Sequence, residues 1–357
     1  MAIKVRRDSA QTLSGNRFSN WVAWVLLGCC LLAASALLAL LAAANHTAFS
    51  LPAAIITGVL LYLPTIYLLA RAVEGPRAAT DRLVTSLVTG AFVLATIPLI
   101  SVSVEVISNG AARMDAEFFT YSMRNITGAG GGALHAIVGT LLITLAATVI
   151  SVPIGLLTAI YLVEYGRGRI AKTITFLVDV MTGIPSIVAG LFAYALFAIF
   201  FGPGVRMGIA GAVSLTVLMV PVVVRSSEEM LRLVPNELRE AAYALGVPKW
   251  LTIMRVVLPT SIAGITTGIV LAIARIIGET APLLVTAGFT ASMNYNLFSG
   301  RMQSLPVYVY TQYTNQGNPA YAFLERAWAS ALLLIIIVMA LNLLARLVAK
   351  KFAPEKR

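Results

Sequence analysis

The stretch LHAIVGTLLITLAATVISVPIGLLTAIYLV, residues 134–163, contains no Asp, Glu, Lys or Arg. A helix of that length more than covers the ~30 Å of bilayer hydrocarbon that about 20 apolar residues cross. Seven further predominantly apolar runs of spanning length lie at 21–44, 52–70, 83–107, 174–201, 207–224, 261–287 and 328–348. Composition agrees with them: 59% of the 357 residues are hydrophobic and 11% charged, against about 45–50% and about 25% in soluble domains. A water-soluble protein is excluded. The expected fold is an all-α polytopic membrane protein with about eight transmembrane helices.

The net charge of +11 would suit a nucleic acid only if the basic residues clustered on one surface, and instead they fall in short segments between the runs. With the N-terminus in the cytoplasm and all eight runs crossing, twenty of the 26 Lys and Arg lie inside. Five lie outside (Arg113, Arg124, Arg206, Arg301 and Arg326), and Arg275 lies within a span. This bias follows the positive-inside rule and places both termini of a multi-pass membrane protein in the cytoplasm, with membrane lipid as a partner and no nucleic acid. The implied organisation is a tail at 1–20, N-terminal spans at 21–133 with a hairpin across 45–108, a core at 134–350, and a tail at 351–357. Within the core, loop 225–260 is cytoplasmic and loop 288–327 is outside. The first run is too long for the 7–15-residue core of a signal peptide and is expected to stay as an anchor.

Two cysteines, Cys29 and Cys30, are adjacent, and the two histidines, His46 and His135, have no cysteine or carboxylate framework around them. No metal centre and no catalytic group is expected from this inventory. No G-x-x-x-x-G-K-[ST] phosphate loop occurs, so the chain is not expected to bind ATP by itself.

Within the cytoplasmic loop, VPNELREAAYALG at 234–246 reads as a short helix with its own start and stop. Pro235 and Asn236 suit the entry, Glu237 and Glu240 suit the positive end of the helix dipole, and Gly246 suits a left-handed exit. Leu238, Ala241, Ala242 and Leu245 are expected on one face, where small alanines let another protein approach closely.

Glu240-Ala241-Ala242, then Gly246, then Val256-x-Leu258-Pro259 resembles the EAA loop of binding-protein-dependent ABC importer permeases, with Val256 where isoleucine is more usual. In that family the loop is the coupling helix that docks into the ATPase, which implies coupling roles for Glu240, Ala241, Ala242, Gly246, Leu258 and Pro259. Further stretches are similar to the phosphate-specific permeases and to their PstA-type subunit: ARIIGETAPLL at 274–284, GIPSIV at 183–188 and QSLPVY at 303–308. The resemblance spans about 134–350 and implies a MetI-like type I importer transmembrane domain. It implies a PstC-like permease as heterodimer partner, a PstB-like ATPase dimer that uses ATP and Mg, and a PstS-like phosphate-binding protein. Such permeases more often have six spans, so the hairpin across 45–108 is a departure.

Arg275 falls about 14 residues into the run that begins at 261, near the expected bilayer centre, with Glu279 one helical turn later on the same face. The two are expected to pair. Either they only neutralise each other, or they face a substrate pathway. Arginine offers planar, bidentate donors to a tetrahedral oxyanion. A neighbouring carboxylate opposes a fully ionised anion but accepts a hydrogen bond from one that keeps a proton, as phosphate does near neutral pH and sulfate does not. Asp179, Gly183 and Pro185 mark a bend in the fifth run. There a buried aspartate would either satisfy backbone groups freed by the bend or serve an inner gate. The implied function is a permease subunit for phosphate, with another oxyanion (sulfate, molybdate) or an ion-coupled secondary carrier as alternatives.

Overall fold

The computed structural model describes residues 19–352, so the expected terminal tails lie largely outside the described residues. The chain divides into two compact units, Met1–Ser103 and Val104–Arg357. In the first, α1 (Asn20–Ala44) and α2 (Leu51–Val73) pack face to face. Gly58 of α2 lies so close to Leu31 of α1 that an added Cβ would sit 2.7 Å from its Cδ2. Contact through a small residue is how helices associate where lipid is as apolar as their side chains. The third helix, α3 (Pro76–Gly110), contains the boundary between the units.

The second unit continues with α4 (Ala116–Thr120), α5 (Leu134–Ile160), α6 (Gly168–Thr182), α7 (Ser186–Phe201) and α8 (Gly208–Arg232). Then follow α9 (Asn236–Ala244), α10 (Lys249–Thr252), α11 (Leu258–Ile276), α12 (Ala281–Thr286), α13 (Leu305–Thr314) and α14 (Ala320–Phe352). Its core forms where α5, α8 and α11 meet: Ile143 and Ala147, Leu215, Met219 and Val223, and Ala272 and Ile276 are all buried together. Leu283 carries α12 into the same cluster. Two π-turns, Tyr161–Tyr165 after α5 and Ile253–Val257 before α11, reshape the helix ends nearest α9.

Among the described residues, seven helices are long and apolar enough to cross a membrane, or eight if the α6–α7 pair forms one span. That pair corrects the fifth expected run, 174–201, which is not a continuous helix. It bends by 109° between Thr182 and Ser186. Pro185 cannot continue the hydrogen-bond ladder and disfavours helix at Ile184, so α6 ends and α7 restarts at a new angle. The seventh run, 261–287, is corrected in the same way. Its helix begins earlier and stops at Ile276, and the four residues Ile277–Thr280 separate it from α12. Gly278 weakens helix propagation, and Pro282 suits the first turn of a new helix. The sixth run, 207–224, extends instead to Arg232, because Arg225, Glu228 and Arg232 pair along one face at spacings of three and four residues.

Candidate functional site

Helix α9 is the most exposed element of the second unit that carries a motif. It starts after Pro235 and exits through Leu245 to Gly246, whose φ is +75°. This is the left-handed conformation expected of the glycine. Leu238, Ala241 and Leu245 are exposed, Leu245 at 84%. Ala242 corrects the expected shared face, since it is buried at 8% and its carbonyl accepts from Val247 N–H. At 100° per residue it follows Ala241 onto the side turned to the protein. Glu240 is exposed and makes no ion pair among the described residues. Leu258 packs with Leu231, Val234, Val257 and Ile265 in the seat beneath α9, while Pro259 is exposed in the first turn of α11.

That seat has an ionic anchor which reading the sequence did not single out. Arg239 donates from Nε at 3.0 Å and from Nη2 at 2.9 Å to Oε1 of Glu164 in the first π-turn. The same guanidinium donates to the carbonyls of Val234 at 2.6 Å and Leu231 at 3.0 Å. Lys249 donates to the carbonyl of Glu164, and its Nζ lies 4.7 Å from the Tyr165 ring centre. The Glu164 side chain is 5% exposed and that of Arg239 12%, so the pair is largely desolvated and fixed by its surrounding hydrogen bonds. Glu164 follows the fourth expected run immediately. A carboxylate at the edge of a span was the available signal, but its partner lies 75 residues away.

A second network joins α6 to α8. Arg225 donates to Asp179 and, at 2.9 Å, to Glu228, while Arg232 donates to the other Glu228 oxygen at 2.5 Å. Glu228 is buried. Asp179 is exposed and paired, which corrects its expected burial and leaves Arg225 as its partner rather than any backbone group freed at the bend. Gly183 and Pro185 are the bend itself. On α7, Gly190 meets α12 so closely that an added Cβ would lie 2.6 Å from Cα of Pro282.

Arg275 and Glu279 are not the helical pair expected. Arg275 sits in the last turn of α11, exposed, and Glu279 lies beyond the helix end with its N–H bonded to Ile276 O at 3.1 Å. No ion pair joins the two side chains, because the turn at 277–280 replaces the helical turn that would have stacked them. The cationic side chain instead complements the negative end of the α11 dipole. Its guanidinium forms no ion pair among the described residues.

Residues 151–357 match the family described as "Binding-protein-dependent transport system inner membrane component". The "Phosphate transport system permease protein PstA 1" of Mycobacterium tuberculosis (strain CDC 1551 / Oshkosh) is 48% identical over 269 residues, covering 74% of this chain and 86% of that protein. The "Phosphate transport system permease protein PstA" of Yersinia pestis is 42% identical over 258 residues, 71% and 84% of the two chains. A chain of the crystal structure of a bacterial alginate ABC transporter with its pentasaccharide-bound periplasmic protein has a TM-score of 0.54 at 13% identity. It covers 76% of this chain and 95% of that one, and shares the fold. An exposed, anchored helix carrying the EAA pattern within a core of this architecture agrees with these matches: the chain belongs to the family of binding-protein-dependent transport system inner membrane components, and within it to the PstA-type permeases.

Proposed function

We propose that the chain is the transmembrane permease subunit of an ATP-driven importer of inorganic phosphate. The observation that carries the coupling half of this reading is α9. It is anchored through Arg239 to Glu164 while Leu238, Ala241 and Leu245 remain outward for a partner surface. The partner there is a PstB-like ATPase dimer, which binds ATP and Mg. A PstC-like permease completes the membrane pathway, and a PstS-like protein delivers phosphate from outside. The phosphate half rests on the names of the relatives and on the uncompensated Arg275, whose planar fork suits a tetrahedral oxyanion. Glu279, one turn of chain later, accepts a hydrogen bond from the proton that phosphate keeps and opposes a sulfate dianion.

Closure of the ATPase dimer would push on α9, and the π-turn seat would pass that movement to α5 and α11. The inner gate in this reading is the α6–α7 bend, and the bridge from Asp179 of α6 to Arg225 of α8 supports it. Reconstituting the chain with its genomic neighbours and measuring phosphate uptake tests the reading. Uptake that requires ATP and the binding protein supports it. Uptake that continues on an ion gradient without ATP identifies a secondary carrier, and preference for sulfate or molybdate moves the substrate to another oxyanion. Orientation is tested by single cysteines at Ser122 and Asn315 in a background lacking Cys29 and Cys30. Both should react with an impermeant thiol reagent from outside, and reaction at only one would overturn the span count between them.

A further inference from the structure

Helix α12 has Arg275 just before it and a second pair of arginines just after it. Met207 N–H donates to Thr286 O at 3.1 Å, and Met302 N–H donates to Ala287 O at 3.1 Å. The exit of α12 is therefore held between two distant segments, and the residue preceding each donor is an arginine, Arg206 on one side and Arg301 on the other. Both stems close on Gly288. A Cβ added there would lie 2.9 Å from Arg206 Cδ and 3.6 Å from Arg301 Cδ, and the glycine has φ +73°.

Neither guanidinium forms an ion pair among the described residues, and that of Arg301 lies 5.8 Å from the Phe289 ring centre. The sequence around them offers no remedy. No Asp or Glu occurs between Asp179 and Glu228 or between Glu279 and Glu325. Two like charges whose stems close on one glycine repel each other, and an anion bound between them would offset that repulsion. Two arginines together can present several N–H donors to the oxygens of one tetrahedral anion, which a single lysine cannot do.

We infer that Arg206 and Arg301 form a second oxyanion station at the exit of α12, distinct from Arg275, which lies before its entry. The station lies at the α8 end opposite Arg232 and α9, since α8 begins at Gly208 beside Arg206. This inference rests on the phosphate reading above.

The test uses the assembled transporter in proteoliposomes. In the unmodified complex, arginine-selective phenylglyoxal labelling followed by mass spectrometry reports on both side chains without any mutation. Millimolar inorganic phosphate should slow labelling at Arg206 and Arg301 at least about fivefold, and chloride at equal ionic strength should not, because screening alone does not require a fork. Absence of phosphate protection overturns the station. In the Arg206→Gln/Arg301→Gln double variant, maximal phosphate uptake at saturating binding protein should fall about tenfold or more, as for loss of charge-assisted donors. The binding-protein concentration that half-maximally stimulates ATPase activity should stay unchanged. A rise in that concentration, with full uptake restored by excess binding protein, would assign the arginines to protein docking and overturn the proposal. Failure of the unmodified complex to take up phosphate at all would instead defeat the underlying phosphate reading.

Discussion

Near α9, Arg225, Arg232 and Arg239 each reach a carboxylate within 2.9 Å, and two of the carboxylates, Glu164 and Glu228, are buried. Around α12, Arg206, Arg275 and Arg301 reach none among the described residues. The difference teaches what each region is for. A desolvated ion pair fixed by extra hydrogen bonds specifies a geometry, and here it sets α9 on its seat. An arginine without a counter-charge specifies nothing internal and leaves its donors for a charge that arrives. Even the fully buried Arg326 follows this logic by a different route. It donates to the carbonyls of Gly128 and Gly130 at 2.8 Å each and to Gln312 at 3.0 Å, and lies 4.6 Å from the Phe323 ring centre. Its charge is thus solvated by dipoles, and it fixes the 128–130 segment to α13 and α14.

The largest effect that separates the two regions is expected at Arg275. Arg275→Lys keeps the charge and loses the fork, so phosphate uptake should fall roughly 100-fold while complex yield stays normal. Normal uptake in this variant would break the comparison at its functional end. Next in size is the anchor. Arg239→Gln leaves Glu164 charged and buried, a change that costs about 3–5 kcal/mol where a buried pair is broken. Retention of the ATPase through purification should collapse in Arg239→Gln and recover partly in the Arg239→Gln/Glu164→Gln double variant, which removes the stranded charge. Equal retention in all three proteins would show that the pair does not hold α9.

Those contrasts also show what could be read from the chain. Apolar runs report spans directly, and the run at 21–44 coincides with the helical span observed at Trp21–Ala44. The α9 boundaries were legible because Pro235, Asn236 and Gly246 act locally on φ and on the helix ends. Breaks inside apolar runs were harder. Gly183 and Pro185 announced a bend, yet its 109° depends on how α6 and α7 each pack on α8. At 277–280 only Ile277 is apolar, yet the apolar residues on either side were read as one run, so the turn that parts Arg275 from Glu279 was missed. Pairings across 75 residues, such as Arg239 with Glu164, leave no local signal at all. The pinch of Gly288 between Arg206 and Arg301 arises only when two distant segments bond to the α12 exit.

Gly246 sharpens the comparison with a smaller effect that leaves every ion pair in place. An added side chain there meets nothing within 4 Å, so strain in the left-handed backbone is the whole cost, about 1–2 kcal/mol. Gly246→Val should therefore lower ATP-dependent uptake about tenfold with membrane abundance unchanged. If it lowers abundance instead, the turn is needed for folding rather than for presenting α9.

The smallest effect is expected where the α12 side of the permease does carry a compensated arginine. Arg113 donates to Asp115 and lies 3.4 Å from Glu117, and Asp115 also caps α4 by accepting Phe118 N–H at 2.8 Å. That backbone bond, followed by the Arg113 contact, holds the Asp115 carboxyl below its ordinary value. Because the folded pKa is the lower one, the stabilisation is complete above the unfolded value of about 3.9 and is lost as pH falls through the folded pKa. The side chain is 47% exposed, so solvent screens most of the charge contribution. Asp115→Asn preserves a capping oxygen and removes only the charge. Its thermal midpoint at pH 7 should lie within about 1–2 °C of the parent, as befits a screened surface pair, and the gap should close as pH falls through the lowered folded pKa. Uptake should be unaffected at neutral pH. A large transport defect with unchanged stability would mean that this compensated arginine also belongs to the anion path, and the division between paired and unpaired arginines would fail.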